Sequence, residues 1–458
     1  MFWKKLRFSY WMVTAYVRKH VWFLVSSFVI TIGCVSAYLF FANIILSSLA
    51  NPVVTIGITG AANTSTLPPE VVSKVTTSLL YQNPDGSYAS KIIDSWSHND
   101  EFTRYTLVLK PRLFYSDKTP FTSSTVPFNL KDVKLDTSDP MKLVFILDKP
   151  FAHFYDYLTK PLIAHYPIRA IGGEYVVTSA RKKRTNDTWN EIELVPVEHG
   201  KPNLHYRVYK NESDLITAFK LHEIDEFVTS NESAYKNFSA WPNTTTTKDS
   251  VYSQVVALFF NTSNPLLKDR DLREAMYGSI PSEELLKLGN LAVSPLSPYS
   301  TFYDKTLTHI PENPDVYGAI LKRYFKEASS EATFTINTSV DFLPVANAVK
   351  DIIKGAGGEA TLDLTGLARG GKFKLLIGLW NIPSEPNQYY VWHSSQKGKG
   401  NISEYESQKV DKLLEDFRAT SEAALQKKYM VDFQKRFARD LPAAMLYYPY
   451  RYTISRKR

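Results

Sequence analysis

One uncharged apolar stretch near the N-terminus constrains the architecture of this chain more than any other feature. Residues 21–42 (VWFLVSSFVITIGCVSAYLFFA) carry no charge and would span about 33 Å as a helix, enough to cross a bilayer core. The residues before the stretch include five cations and no acid, and Arg18 and Lys19 come directly before it. The positive-inside rule therefore predicts a cytoplasmic basic segment at 1–20 and a single membrane anchor at 21–49. Everything after the anchor is expected on the extracytoplasmic side of the cell membrane.

Two kinds of processing compete with a retained anchor. Residues 48–50 (SLA) have the small-x-small form of a signal-peptidase site, but the apolar stretch before them is longer than a usual signal sequence. Cys34 follows Thr-Ile-Gly, which is a poor lipoprotein signal, and a small residue within a membrane helix is its simpler interpretation. Because Cys34 is the only cysteine, no internal disulfide can form. We expect the anchor to be retained.

The distribution of charge argues against nucleic-acid binding. The formal net charge is +8, and the N-terminal segment supplies more than half of it, so the rest of the chain is nearly balanced. A nucleic-acid-binding domain concentrates its cations on the folded part instead. The short basic runs at 181–184 and 456–458 are expected to be solvated surface.

Strand and helix patterns interleave through the outer part of the chain. Apolar runs and period-two alternation predict strands at 53–58, 105–110, 141–147, 175–178, 192–197, 255–260 and 373–380, the last buried on both faces. Helical spacing predicts helices at 68–80, from Asp269, from Pro314, at 345–355, at 410–417 and at 425–437. This pattern is that of an α/β protein, and 458 residues are too many for one ordinary core. No Gly/Ser linker separates the parts, as expected for two lobes that share crossing strands as a hinge.

No residue pattern supports catalysis or a bound metal. The sequence has no nucleophile elbow, P-loop or dinucleotide fingerprint, and its nine histidines form no zinc pair of the His-x-x-x-His kind. Glu283 and Glu284 fit a solvated helix face, and Cys34 is placed in the membrane. We therefore expect a protein that is not an enzyme, without catalytic residues, cofactor or metal.

A series of short signatures, in a fixed order, resembles a known family. In the first half they lie at 81–86 (YQNPDG), 93–97 (IDSWS), 105–117 (YTLVLKPRLFYSD) and 119–122 (TPFT). In the second half they lie at 260–265, 271–275, 294–298, 380–386, 410–414, 441–442 and 446–449. Together they resemble the dipeptide, oligopeptide and nickel-type extracytoplasmic solute-binding proteins, family 5, over nearly the whole outer part.

The resemblance implies a two-lobed periplasmic-binding-protein type II fold behind an N-terminal transmembrane helix. Lobe 1 would comprise 51–260 plus 441–458, and lobe 2 would comprise 261–440. Hinge closure of the lobes would capture a small solute, with a peptide as the expected class, for the permease subunits of an ABC importer. A tethered sensor or scaffold that retains the binding fold without import is the alternative. Larger relatives carry additional helices after the position of Val126, so lobe 1 of this chain should be smaller than theirs.

Five residues are implied as ligand-binding candidates. Trp380, Asn381 and Glu385 come from the segment that resembles the cleft loop, Asn261 from the strand-to-helix passage and Tyr448 from the last strand. Trp380 would either stack on the ligand or anchor the core. An Asp of the cleft loop pairs with the peptide amino terminus in peptide-binding relatives, and here Asn381 stands near that place. Glu385 is a substitute for that charge or a solvated loop carboxylate.

Overall fold

The fold is described from a computed structural model of the chain. The structure describes residues 2–50, 52–59, 67–83, 87–128, 133–162, 169–183, 188–198, 200–310, 312–328, 332–365, 373–383 and 386–457. Among the predicted features, Glu385 and residues 84–86 of the YQNPDG signature lie outside these residues.

Helices and strands interleave as the sequence predicts. The helices of four residues or more are α1 (Phe2–Lys19), α2 (Val21–Ala50), α3 (Pro69–Val75), α4 (Phe154–Tyr157), α5 (Glu212–Lys220), α6 (Glu232–Ser239), α7 (Arg270–Gly278), α8 (Ser282–Leu288), α9 (Pro314–Ala328), α10 (Leu343–Gly355), α11 (Tyr389–Trp392), α12 (Gln408–Ala419) and α13 (Ala423–Asp440). The strands are β1 (Val53–Thr59), β2 (Tyr81–Gln82), β3 (Tyr88–Ala89), β4 (Ile93–His98), β5 (Arg104–Leu109), β6 (Val133–Asp136), β7 (Lys142–Leu147), β8 (Tyr175–Lys182), β9 (Trp189–Pro196), β10 (Asn203–Tyr209), β11 (Glu226–Thr229), β12 (Thr244–Ser250), β13 (Gln254–Phe260), β14 (Gly289–Leu291), β15 (Thr333–Asn337), β16 (Glu359–Asp363), β17 (Leu375–Asn381) and β18 (Ala443–Arg456).

Helix α2 carries the predicted apolar stretch. Among the described residues, Val21–Leu39 is the one helical stretch that is long and apolar enough to cross a bilayer, and none of it is buried against the rest of the protein. Its length and composition fit a membrane anchor and a signal sequence equally well. Only two residues, 51 and 52, separate the end of α2 from β1.

A large mixed sheet forms the centre of the outer part. Its strand order is β16-β15-β17-β13-β18-β11-β1-β10-β9-β8, with β12 and β14 also paired to β18. The first part of β18, up to Tyr447, pairs with β13, whereas its last part, from Tyr452 to Ser455, pairs with β11. The sheet therefore has two halves, and β18 is the strand that belongs to both.

Strand β13 shows why a central strand of the large sheet has a continuous apolar sequence. Val256, Leu258 and Phe260 pack into a core with α7, α9 and α10 on one face of the sheet. The alternate residues of the strand pack into a second core with α12 and α13 on the other face. A strand with helices on both faces has no solvent-facing side, so residues 255–260 are all apolar and buried.

A smaller antiparallel sheet forms a separate unit, which we call the small unit (residues 76–162 as described). Its strand order is β4-β5-β7-β6, and Tyr105, Leu107 and Phe145 lie in a core of its own. The chain enters the small unit from α3 and leaves it towards β8, and a bridge between Thr76 and Gly172 joins the two passages. The small unit is thus attached to the half of the sheet that contains β1.

Two details differ from the sequence prediction. Helix α3 ends at Val75 and not near residue 80, because Thr76 is extended (φ −133°) and pairs with Gly172 as a bridge. Strand β17 is fully buried only over Leu375–Ile377, since Leu379 is 42% exposed and Asn381 is exposed. Burial on both faces was therefore wrong for the end of this strand.

The predicted lobe boundaries at 260–261 and 440–441 stay predictions. All seven residues of β13 pair with β17, and residues 443–447 pair with β13. On that pairing we propose that the chain crosses between the lobes at 251–253 and near Pro449.

Arg273 of α7 joins this helix to the end of α13 and should be important for stability. It is 4% exposed, and its guanidinium donates to the carbonyl oxygens of Leu267 (2.6 Å), Leu441 (2.9 Å) and Asp440. The last two are carbonyls at the end of α13, which lack partners within the helix. We predict that Arg273→Gln lowers the free energy of unfolding by about 3 kcal/mol, because these buried carbonyls lose a charged donor.

Thermal unfolding of the full chain in detergent measures this effect. Arg323→Gln, at an exposed arginine of α9, is the matched control and should leave the melting temperature within about 1–2 °C of the parent. Equal melting temperatures for the two variants would contradict the assigned role of Arg273.

Candidate ligand site

The two passages between the halves of the sheet lie side by side. Ser250, at the end of β12, pairs with Tyr450, and the backbone N–H of Val251 donates to the carbonyl of Pro449 at 3.0 Å. Strands β1, β10 and β11 end towards this crossing, and β13 starts from it while β17 ends at it. Ligands of open α/β sheets bind at such carboxyl edges. The crossing is therefore the place to look for the ligand site.

Asn290 of β14 holds the two passages together. Its amide nitrogen donates to Ser250 Oγ and to the Tyr252 hydroxyl, both at 2.8 Å. Its amide oxygen accepts from the Tyr450 hydroxyl at 3.0 Å. The Asn290 side chain thus bonds to residues on both crossing segments. A change in the separation of these segments would break or lengthen its hydrogen bonds.

Aromatic rings surround this network. The Tyr252 ring lies 5.1 Å from the rings of both Tyr299 and Tyr448, and Tyr299 is 80% exposed. On the side of lobe 1, Lys248 Nζ stands 3.6 Å from the centroid of the Tyr450 ring. The crossing therefore offers partly exposed apolar faces with hydroxyl groups at their edges, a combination typical of ligand sites.

The predicted pair Trp380 and Asn381 lies at this crossing. Asn381 ends β17, is exposed, and accepts a hydrogen bond at 2.8 Å from Gln254 Nε2, at the start of β13. Trp380 is half-buried, with its ring 5.9 Å from that of Trp392 in an edge-to-face arrangement. One part of Trp380 is thus packed into the core of lobe 2 while the rest is open, which is compatible with both interpretations of this residue.

Tyr448 is close to the pair but deeply buried. It is 2% exposed, and its hydroxyl lies 3.4 Å from the carbonyl oxygen of Leu296. Burial raises the pKa of its hydroxyl, so Tyr448 stays neutral at physiological pH. Tyr448 packs against the Tyr252 ring from the buried side. Direct contact between Tyr448 and a ligand stays a prediction.

Asn261 is not brought together with these residues. It follows the far end of β13, seven residues after Gln254, which corresponds to roughly 23 Å along a strand. Its amide nitrogen donates to the carbonyl of Phe373 at 2.8 Å, and its amide oxygen accepts from the Ser263 N–H at 3.0 Å. The amide oxygen thus holds the local turn, and the amide nitrogen joins this turn to the distant segment before β17. A ligand-binding role for Asn261 stays a prediction that this geometry does not favour.

Sequence reasoning missed the residues that form the centre of the crossing, namely Tyr252, Gln254, Asn290 and Tyr450. It also missed two buried amides in the segment after Glu385: Asn387 Nδ2 and Gln388 Nε2 have no hydrogen-bond partner among the described residues. None of these residues belongs to a motif, and only their meeting in the fold distinguishes them. One sequence signal was available: the polar segment 248–254 directly precedes the buried strand at 255–260, and a polar segment of this kind can carry the chain from one core to the next.

The chemistry of the crossing is that of binding. Its described side chains are tyrosine hydroxyls, amides and indole rings, with the Lys248 ammonium against the Tyr450 ring. Within the part of the chain that the structure describes, no cluster of His, Cys, Asp or Glu could hold a metal ion. The hydroxyl and amide groups can donate hydrogen bonds to a neutral polar ligand and accept hydrogen bonds from it. The aromatic rings can stack on its apolar parts.

Comparison with known proteins supports the predicted family. A family model described as "Bacterial extracellular solute-binding proteins, family 5 Middle" matches residues 88–401. The oligopeptide-binding protein AppA of Bacillus subtilis is 23% identical over 300 residues, a match that spans 57% of this chain and 55% of AppA. The probable D,D-dipeptide-binding periplasmic protein DdpA of Escherichia coli is 23% identical over 409 residues, 75% of this chain and 77% of DdpA.

Solved structures confirm the two-lobed α/β fold. AppA of B. subtilis in complex with a nonapeptide superposes with a TM-score of 0.72 at 18% identity, covering 89% of this chain and 95% of AppA. NikZ of Campylobacter jejuni in complex with Ni(L-His) gives a TM-score of 0.70 at 18% identity, covering 88% of this chain and 94% of NikZ. The predicted periplasmic-binding-protein architecture is therefore correct.

Trp380→Ala tests the open part of the Trp380 ring. We predict that the variant stays folded but loses most of its ligand-induced rise in melting temperature, because a stacking surface worth roughly 1–3 kcal/mol is removed. Trp241→Ala is the matched control, since Trp241 is also half-buried but packs on Phe238 in lobe 1, away from the crossing. A ligand response of Trp380→Ala equal to that of the control would mean that Trp380 is only a core anchor.

Proposed function

The chain belongs to family 5 of the bacterial extracellular solute-binding proteins, and on that premise we propose that it is a membrane-tethered receptor for an ABC importer. It captures a small solute between its two lobes and presents it to the permease subunits by hinge closure. The observation that carries the proposal is the crossing. The segments that join the lobes also carry the polar and aromatic side chains of the candidate site.

A peptide is the solute class that we favour. AppA is named an oligopeptide-binding protein and DdpA a probable D,D-dipeptide-binding protein. A peptide backbone alternates N–H donors and C=O acceptors, which suits the amide of Asn381 and the tyrosine hydroxyls of the crossing. The amide nitrogens of Asn387 and Gln388 are buried without a partner among the described residues, and Gln388 Oε1 accepts from the indole N–H of Trp392, whose ring packs against Trp380. NikZ binds Ni(L-His), so the ligand class is a matter for experiment.

Tethering follows from retention of α2 as a membrane helix. Lobe 1 would then begin two residues from the bilayer surface, and the receptor would stay close to its permease at high effective concentration. The basic residues Arg18 and Lys19 at the end of α1 support a cytoplasmic N-terminus.

A thermal-shift screen of the full chain in detergent tests the function. Peptide pools, sugars and metal chelates are added separately, and a solute that binds only the folded state must raise the melting temperature. At 100-fold excess over Kd the stabilisation is about 2.7 kcal/mol, which corresponds to several degrees for lobes of this size. We predict a shift with a peptide pool.

The outcome separates the two functional hypotheses. A rise with sugars or chelates alone would retain the receptor and change its solute. No rise with any class, on a sample with a cooperative unfolding transition, would favour the tethered sensor or scaffold over the importer receptor.

Topology is tested by thiol labelling in a Cys34→Ser background, because Cys34 is the only cysteine. A cysteine at Arg7 should resist a membrane-impermeant maleimide in intact cells, and one at Val316, which is 52% exposed, should react. Soluble, truncated protein in the extracellular fraction would instead show cleavage of the apolar segment.

A further inference from the structure

The small unit reaches across to lobe 2 through one short segment. Its attachment by covalent connection and strand bridge is to lobe 1. Residues 151–157 carry a backbone hydrogen bond and ring contacts between the small unit and lobe 2. The contact is therefore local, and it bridges two bodies that hinge motion must separate.

Arg418, in the last turn of α12, is the centre of this contact. Its guanidinium lies 4.4 Å from the ring centroid of Tyr389, 4.8 Å from that of Phe151 and 5.5 Å from that of Tyr390. Phe151 belongs to the small unit, whereas the two tyrosines belong to α11 of lobe 2. Arg418 Nε is buried and has no hydrogen-bond partner among the described residues, so the rings are its main stabilising surroundings.

A backbone hydrogen bond joins the same two elements. The N–H of Ala152 donates to the carbonyl oxygen of Arg418 at 3.0 Å. Carbonyls in the last turn of a helix have no partner within that helix, so this one is available to a neighbouring segment. The segment itself is fixed to the small unit, because Phe151 N–H donates to Phe102 and the Tyr105 hydroxyl donates to the Phe151 carbonyl.

His153 adds a stacked ring to the contact. Its imidazole lies parallel to the ring of Phe417, with centroids 4.3 Å apart and an interplanar angle of 5°. Its orientation is set within the small unit, since His153 Nδ1 lies 3.2 Å from Asp156 Oδ2, and Asp156 accepts from the Tyr88 hydroxyl. The small unit thus presents a pre-oriented ring to the end of α12.

We propose that this contact is a latch that holds the lobes closed. The latch consists of Phe151, Ala152 and His153 on the small unit, and of Phe417 and Arg418 with Tyr389 and Tyr390 on lobe 2. Its attractions are few and lie around the end of α12 and the neighbouring α11, so they can break and re-form as the hinge moves. A latch that closes without solute lowers the cost of closure on binding and so raises affinity. This inference rests on the proposed hinge motion.

The test measures the distance across the latch in the full chain. Cysteines replace Lys149 of the small unit and Lys412 of α12, both exposed, in a Cys34→Ser background, and carry spin labels for pulsed electron paramagnetic resonance. The parent should show one short, narrow distance without any added solute. Arg418→Gln should add a longer population, with the open-to-closed ratio raised about tenfold. Phe417→Leu should do the same in smaller measure.

Lys409→Gln, at an exposed position of α12, is the matched control and should keep the parent distribution. Far-ultraviolet circular dichroism and the melting temperature check that each variant is folded. Parent-like distances in both folded latch variants would overturn the latch. If they occur while a solute still raises the melting temperature, the receptor function stands. Opening of the latch variants in a protein that no solute stabilises would retain the latch and reject the receptor.

Discussion

Strand β18 is the constraint on which the rest of the structure depends. Its 14 residues pair with β13 near one end and with β11 and β12 near the other, so both halves of the large sheet use the same backbone. Pro449 lies between the two sets of pairs and has no N–H to give to a ladder. The backbone of β18 therefore continues through Pro449, but the hydrogen-bond ladder lacks one donor there. A change in twist between the two halves of the sheet should cost least at this point.

The proposed hinge and the proposed ligand site meet at this point of β18. Asn290 bonds to both crossing segments, and Tyr252 packs on Tyr448 of β18 from one of them. A ligand held by these residues would contact the groups whose separation changes on closure. Binding energy would then act directly on the hinge equilibrium, because only contacts that differ between open and closed states can shift it. The latch at Arg418 would bias the same equilibrium from the far side of the cleft.

The elements with a strong apolar pattern could be predicted from the sequence, because local periodicity reports burial. The apolar run of β13 and the one-sided helices α12 and α13 are examples, and the ordered signatures identified the family. The partners of individual side chains were beyond this reasoning. Asn261 looked available for a ligand, but its amide meets the carbonyl of Phe373, more than a hundred positions away. Likewise, nothing local in residues 151–153 indicates that they meet the end of α12.

Hydrogen–deuterium exchange of the full chain, with and without a mixture of short peptides, tests the central claim most directly. A solute enclosed between the lobes should slow exchange at both edges of the crossing at once. The affected segments would be the start of β13 and the end of β17 in lobe 2, and the ends of β10 and β11 in lobe 1. Protection confined to one lobe, or unchanged exchange at a peptide concentration that raises the melting temperature, would contradict capture by closure.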